Sequence, residues 1–314
     1  MQPLLILTGP TAVGKTALSI ALARAVDGEI ISADSMQVYR KMDIGSAKIK
    51  QEEMKGIPHY LIDVLDPSEK FDVVRFQQMA KEAMEIIWKK GKVPILTGGT
   101  GFYIQSVLYD IDFTSHGLDQ TFRRRLEDLA QKEGPETLHW MLAEKDPAAA
   151  SQIHPHNIKR VIRALEFHEQ TGGQISAHNQ EQKKRTSPYR YLYFVLNEPR
   201  ERLYQKIEQR IDHMMEEGLL SEVENLHREG YTKDMVSMQG LGYKELLTYL
   251  NGEISLDEAI RILKRDTRHF AKRQLTWFRR ERDVVWIQKE EFGYDEKKIL
   301  DYMLALCRER KILG

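Results

Sequence analysis

The chain has 314 residues, enough for one large domain and a second, smaller unit. Hydrophobic residues make up 41% and charged residues 30%, the mix of a globular protein with a sizeable core; 47 basic residues balance 47 acidic ones, so no global positive field marks the chain for nucleic acid and any basic surface has to be local. The single cysteine, Cys307, excludes an intrachain disulfide framework, and no apolar run approaches the roughly 18 residues of a bilayer span, so we expect a cytoplasmic protein that does not enter membranes.

The N-terminal part alternates strands and helices. Leu4–Leu7 is a short apolar run ending in Gly-Pro, as a buried parallel strand does. Thr16–Val26 carries apolar residues at helical spacing. Glu29–Ala33 is a second strand that stops at Asp34, Tyr60–Val64 a further extended piece, and Phe71–Lys90 a long amphipathic helix. Val93–Thr97 is a strand followed by Gly98-Gly99-Thr100-Gly101. This order predicts an α/β fold: a P-loop NTPase-like parallel sheet flanked by helices. From Phe113 to Arg190 the pattern is helical without a convincing strand, and it carries the clusters Arg123-Arg124-Arg125 and Lys159, Arg160, Arg163. We read it as an inserted all-helical subdomain. Tyr191–Leu196 rejoins the sheet. Helices follow over Arg200–Glu217, Leu219–Arg228 and Leu256–Arg282, then a last strand at Val284–Ile287 and a helix over Lys297–Arg310.

Gly9-Pro10-Thr11-Ala12-Val13-Gly14-Lys15-Thr16 fits G-x-x-x-x-G-K-[ST] without a mismatch, after a strand and before a helix. The glycines let backbone N–H groups curl inward and the helix N-terminus adds positive potential. Lys15 reaches terminal phosphates, and the Thr16 hydroxyl suits Mg²⁺. By itself the motif suggests ATP or GTP. An NTPase of this type, however, holds Mg²⁺ with an Asp at a strand end, and Val93–Thr97 ends without one. The loop is therefore expected to hold a phosphate chain without hydrolysing ATP.

Asp34 ends the second strand, where an open parallel sheet lines its ligand crevice. A carboxylate beside a phosphate site suits a metal or an acceptor's proton. Gln37, three residues on, can pair with an adenine edge. Composition alone reads equally well as a turn cap and a solvated amide.

Several runs together carry a resemblance. They are Asp34-Ser35-Met36-Gln37-Val38-Tyr39-Arg40, Met42-Asp43-Ile44-Gly45-Ser46-Ala47-Lys48, Gly56-Ile57-Pro58-His59-Tyr60-Leu61-Ile62-Asp63, Gly98-Gly99-Thr100-Gly101-Phe102-Tyr103, Arg163-Ala164-Leu165-Glu166, and Ala271 through Arg279. In this order they resemble the tRNA dimethylallyltransferases, the isopentenyl-tRNA transferases. Ser46 stands where the family pattern has Thr, and Tyr60 where a second His is common. A single cysteine cannot build the zinc finger of eukaryotic members, so the resemblance is to the bacterial type.

The resemblance implies transfer of a dimethylallyl group from dimethylallyl pyrophosphate to N6 of the tRNA adenosine 3′ of the anticodon, with the P-loop holding pyrophosphate. It implies Mg²⁺ on Thr16, and Asp34 as general base. It implies Thr11 near the reacting oxygen and Arg210 as a pyrophosphate-binding arginine. Arg202, Lys206 and Arg210 fall on one helix face at i, i+4 and i+8, which extends the expected cationic site. Ser35, Met36 and Gln37 would line the pocket of a flipped adenine. Thr100 and Arg123 resemble positions that touch tRNA, and Asn157, Lys159, Arg160 and Arg163 would join them. Read without the resemblance, each basic cluster is equally a solvated helix face. Overall neutrality then predicts a dipolar surface, with Glu216, Glu217, Glu222 and Glu224 turned away from the RNA. The chain divides into residues 1–112, the first part of a P-loop catalytic core, 113–190, a helical tRNA-binding insertion, and 191–314, the rest of the core with C-terminal helices. The partners expected are the tRNA anticodon stem-loop and dimethylallyl pyrophosphate, and the chain is expected to be a monomer. The alternative is a P-loop small-molecule or nucleotide kinase, which would need no basic helical insertion.

Overall fold

The computed structural model describes residues 1–113 and 120–312. Its centre is the strand that precedes the P-loop. β1 (Pro3–Thr8) lies between β4 (Val93–Gly98) and β5 (Arg190–Asn197), and Leu4 to Leu7 have no exposed surface. A strand covered on both faces has no solvent side for polar residues, which is why these run apolar without alternation. With β2 (Gly28–Ser32), β3 (His59–Tyr60) and β6 (Val284–Gln288) they make a six-stranded sheet in the order β3-β2-β4-β1-β5-β6, with every pairing parallel. The extended piece expected over Tyr60–Val64 is shorter than its composition suggests. Leu61 and Asp63 adopt positive φ (62° and 56°), which takes the chain out of the ladder after Tyr60.

Helices pack on this sheet. α1 (Lys15–Ala25) follows Gly14, whose φ of 97° turns the P-loop into the helix. α2 (Val73–Lys89) is capped by Asp72, whose carboxylate accepts from the N–H groups of Val74 and Arg75. α3 (Gly101–Leu108) escaped the periodicity reading because its residues are buried nearly all round; an all-apolar helix shows no stripe.

The chain forms two compact units: Met1–Leu108 with Pro188–Gly314, and Tyr109–Ser187. The second is all-helical among its described residues, with α4 (Gln120–Glu133), α5 (Pro135–Lys145), α6 (Pro147–Ala150), α7 (Ile158–Thr171) and α8 (Ile175–Lys184). It has its own core of Leu126, Leu138, Leu142, Val161 and Leu165. Buried Asp146 ties it locally, capping α6 at Ala149 N–H (2.9 Å) and accepting from the Ser176 hydroxyl (2.6 Å). The first unit continues with α9 (Arg200–Glu216), α10 (Leu219–Arg228), α11 (Tyr243–Leu250), α12 (Leu256–Phe278) and α13 (Glu296–Glu309). α12 stops at Phe278, four residues short of the expected end.

Candidate active site

The loops at the carboxyl ends of β1, β2 and β4 meet, as an open parallel sheet requires. They line one cavity of about 920 Å³ together with residues of α9 and α12. Its lining includes Thr11, Lys15, Thr16, Asp34, Ser35, Met36, Gln37, Thr100 and Arg210. These are the P-loop, carboxylate, acceptor-side and arginine positions anticipated from the sequence.

The loops are stitched by backbone. Ala33 N–H donates to Thr97 O (2.7 Å), and Thr100 N–H to Ala33 O (3.2 Å). Gly98 has to be glycine here, because a Cβ would lie 2.2 Å from Ala33 O. Gln274 of α12 adds a bridge from 263 residues away: its Oε1 accepts from Thr11 N–H (2.9 Å) and its Nε2 donates to Gly99 O (3.0 Å). Behind the P-loop, buried Lys289 donates to Val13 O (3.1 Å). Neither contact has a local sequence signal. Gln274 stands inside one of the quoted family runs, but nothing in that run says that it reaches the P-loop.

The cations at the P-loop itself, Lys15 and Arg210, are desolvated. Lys15 donates to Gly9 O (3.0 Å) and Pro10 O (2.8 Å). It keeps some surface on the cavity, but protein crowds its other sides. This burial, followed by the repulsion of Arg210, lowers its pKa to about 8, against the pull of Asp34. Arg210 donates to the Thr11 hydroxyl (3.3 Å), and burial lowers its pKa while Asp34 opposes the shift. Asp34 thus faces both cations electrostatically. Its Oδ1 accepts from Met36 N–H (2.8 Å), which fixes the carboxylate in an Asx turn. Gln37 is held on both ends of its amide. Oε1 accepts from the Ser32 hydroxyl (3.0 Å), and Nε2 donates to Ser46 O and Ala47 O at 3.4 Å each.

The expected stripe of three cations on α9 divides. Only Arg210 reaches the P-loop. Lys206 lines the cavity but donates to both oxygens of buried Glu198 (2.9 and 2.7 Å). Arg202 lies 3.5 Å from the same carboxylate and stacks over the Tyr294 ring at 3.8 Å. Glu198 precedes the helix but continues its spacing, four residues before Arg202 and eight before Lys206, so the pairing had a sequence signal that the expected stripe did not use.

In the helical unit the predicted RNA residues have a different character. Arg123 donates Nε (2.7 Å) and Nη2 (2.8 Å) to buried Glu166, which leaves one guanidinium edge for other partners. Asn157, Lys159 and Arg160, at and after the start of α7, are exposed, and Arg163 is half-buried.

A phosphate cradle facing a carboxylate and an arginine across one cavity defines a P-loop group transferase. A family model described as IPP transferase matches residues 37–281. The chain belongs to this family, that of the tRNA dimethylallyltransferases. It is 59% identical over its whole length to the tRNA dimethylallyltransferase of Lachnoclostridium phytofermentans, covering 100% of both chains, and 51% identical to that of Acetivibrio thermocellus, covering 97% of this chain and 98% of the relative. Among solved structures, the tRNA isopentenylpyrophosphate transferase of Bacillus halodurans is 42% identical with a TM-score of 0.74, over 99% of this chain and 98% of that one. A eukaryotic dimethylallyltransferase described as acting on tRNA is 32% identical with a TM-score of 0.81, over 92% of this chain and 74% of its own.

Proposed function

We propose that the protein transfers a dimethylallyl group from dimethylallyl pyrophosphate to N6 of an adenosine beside the anticodon of tRNA. The observation that carries this is the shared cavity, in which Lys15 and Arg210 converge on the P-loop across from Asp34. The family and its relatives favour this reading over the kinase.

In the reaction the allylic C–O bond breaks and pyrophosphate leaves with the electron pair. The P-loop N–H groups, Lys15 and Arg210 stabilise the charge it gains, and such preorganised stabilisation is usually the largest catalytic contribution. A bond forms from N6 to the allylic carbon. The N6 lone pair is delocalised into the purine, so N6 attacks well only as its proton leaves, and the Asp34 carboxylate takes that proton. Thr11, whose hydroxyl accepts from Arg210, would contact the donor near its reacting oxygen. The base must leave its stack to enter the cavity, with Ser35, Met36 and Gln37 as its walls. Thr100, Arg123, Asn157, Lys159, Arg160 and Arg163 supply contacts to the stem-loop backbone.

Mg²⁺ fits this site through hard oxygen donors. Among the described residues no group of three or more His, Cys, Asp or Glu could cage a metal. The Thr16 hydroxyl on the cavity would hold the ion together with pyrophosphate oxygens, as Mg²⁺ commonly binds. The ion would neutralise charge on the leaving group. No described helix is long and apolar enough to cross a membrane. We assign the protein to the cytoplasm because its proposed substrate is tRNA, and propose that it acts as a monomer.

The test is mass spectrometry of tRNA from a host lacking its own enzyme, incubated with the protein, Mg²⁺ and dimethylallyl pyrophosphate without ATP. One dimethylallyl group gained on a single adenosine is the expected result. No gain, with ATP consumed when a small acceptor is offered, would overturn the proposal in favour of the kinase.

A further inference from the structure

The acceptor wall of the cavity has a support that the reaction does not itself require. Gly45, Ser46 and Ala47 line the cavity beside Gln37. They belong to a loop with no regular hydrogen-bond ladder, and Ala47 is held at a positive φ of 47°. Turn bonds close it on itself, Ala47 N–H to Ile44 O (2.9 Å) and the Ser46 hydroxyl to Met42 O (2.6 Å), but they leave the N–H groups of Asp43, Ile44 and Gly45 to a partner outside the loop.

Glu222 of α10 is that partner. Its Oε2 accepts from the N–H groups of Asp43 (2.8 Å) and Ile44 (2.7 Å). Its Oε1 accepts from Gly45 N–H (3.1 Å) and from the Tyr243 hydroxyl (2.7 Å). One carboxylate thus gathers three successive backbone N–H groups and a phenol, a charge-assisted set stronger than neutral bonds. Tyr243 is fully buried, and its burial beside Glu222 raises its pKa well above the usual value, so it stays a donor. Its ring also fixes the loop sterically: a Cβ on Gly45 would lie 2.6 Å from it. Glu222, expected among the acids turned away from the RNA, is thus engaged by this loop and by Tyr243. The carbonyls that follow the anchored N–H groups, Ser46 O and Ala47 O, are the ones that accept from Gln37 Nε2.

We propose that Glu222 and Tyr243 are positioning residues for the acceptor base: they hold the 43–47 loop so that its carbonyls set the Gln37 carboxamide against the nucleobase to be modified. This rests on the reading of Gln37 as part of the adenine pocket. The pathway runs from Glu222 through the loop to Gln37, and it bypasses the P-loop, whose supports are Gln274 and Lys289.

The test measures stem-loop Kd, acceptor KM, pyrophosphate Kd and kcat for Glu222→Gln, Tyr243→Phe and Gly45→Ala, alone and with Gln37→Ala. Glu222→Gln keeps the length of the side chain but loses the charge, and is expected to raise acceptor KM and stem-loop Kd about tenfold. Tyr243→Phe removes a single hydrogen bond, keeps the ring, and should raise them by a smaller factor, about threefold. Gly45→Ala, whose Cβ would press on the Tyr243 ring, should give the same defect with neither anchoring side chain mutated. Pyrophosphate Kd should stay within about twofold throughout. On the Gln37→Ala background, Glu222→Gln should add nothing, because both act along one path. Equal losses of donor and acceptor affinity, full additivity with Gln37→Ala, or no change in Tyr243→Phe would overturn the proposal. Failure of the wild-type protein to prenylate or to bind the stem-loop would instead overturn the functional reading beneath it.

Discussion

The cations of the cavity and those of the helical unit differ in number, burial and partners. Lys15 and Arg210 are two charges held by protein, both with lowered pKa and both opposed by one carboxylate. On α7 several cations follow one another, and Lys159 and Arg160 are open to water. Desolvated charge acts strongly at short range and is little screened by salt, whereas exposed charge acts weakly and in sum. The first suits stabilisation of a leaving group and the second suits the backbone of an RNA. The comparison is sharp enough to break: changes in the cavity should alter turnover, and changes on the helical unit should alter affinity and its dependence on salt.

The largest effect is expected at Asp34. Asp34→Ala should lower kcat roughly 10²–10⁴-fold, the usual worth of a general base, while stem-loop Kd changes little. Single-turnover transfer with saturating tRNA measures the first and fluorescence anisotropy the second. A large loss of tRNA binding would move Asp34 from proton acceptor to RNA ligand.

Arg210→Gln should follow, with kcat down about 10²–10³-fold, the range of a preorganised donor to developing negative charge. Because Arg210 also holds the Thr11 hydroxyl, Thr11→Val offers a check. A loss on Thr11→Val as large as that on Arg210→Gln would put the arginine's role in orienting the threonine rather than in charge.

A pH profile probes the same region more gently. Lys15, with a pKa near 8, loses its charge in the free protein as pH rises through that value. The lysine's contribution to pyrophosphate affinity should be constant below neutral pH and then fall, approaching tenfold per pH unit above about 8. Lys15→Met should lose most of the affinity and this part of the pH dependence, which separates the lysine's titration from that of the ligand. An unchanged wild-type Kd well above pH 8 would show that the lysine keeps its charge without help from the ligand.

These predictions depend unequally on what was legible in the sequence. The P-loop is continuous from Gly9 to Thr16, and its function is backbone geometry, so it could be read in place. Asp34 was placed by a general property of parallel sheets, since it ends a strand. The supports were not legible. Gln274, Lys289 and Glu222 meet their loops across 263, 276 and 178 residues of chain. A contact made by tertiary folding leaves no spacing pattern in a single sequence. The α9 stripe failed differently. Helical periodicity aligned Arg202, Lys206 and Arg210 but did not rank them, and the local acid Glu198, four residues before Arg202, pairs with the first two. α3 was missed for another reason: six of its eight residues are buried, which leaves little polar face to set against the apolar one.

The smallest effects should come from the helical unit, and there the choice of residue decides whether a result means anything. Arg123→Ala would leave Glu166, whose side chain is 1% exposed, without its bidentate partner. That should destabilise the unit by about 1–3 kcal/mol, toward the low end because the arginine is itself 40% exposed, and it should lower the melting temperature. Any loss of tRNA affinity in that variant would mix folding with RNA binding. Lys159→Gln and Arg160→Gln touch no such partner and should leave the melting temperature unchanged. Each should weaken stem-loop binding a few-fold at low salt and reduce the slope of log Kd against log salt by about 0.7–1, as expected when one fewer phosphate is neutralised, with kcat at saturating tRNA preserved. An unchanged slope in the double variant would mean that α7 presents a solvated face, and the RNA would then have to be held by the cationic side chains of α12 and the turn after it, Lys272, Arg273 and Arg280, which line a shallow depression.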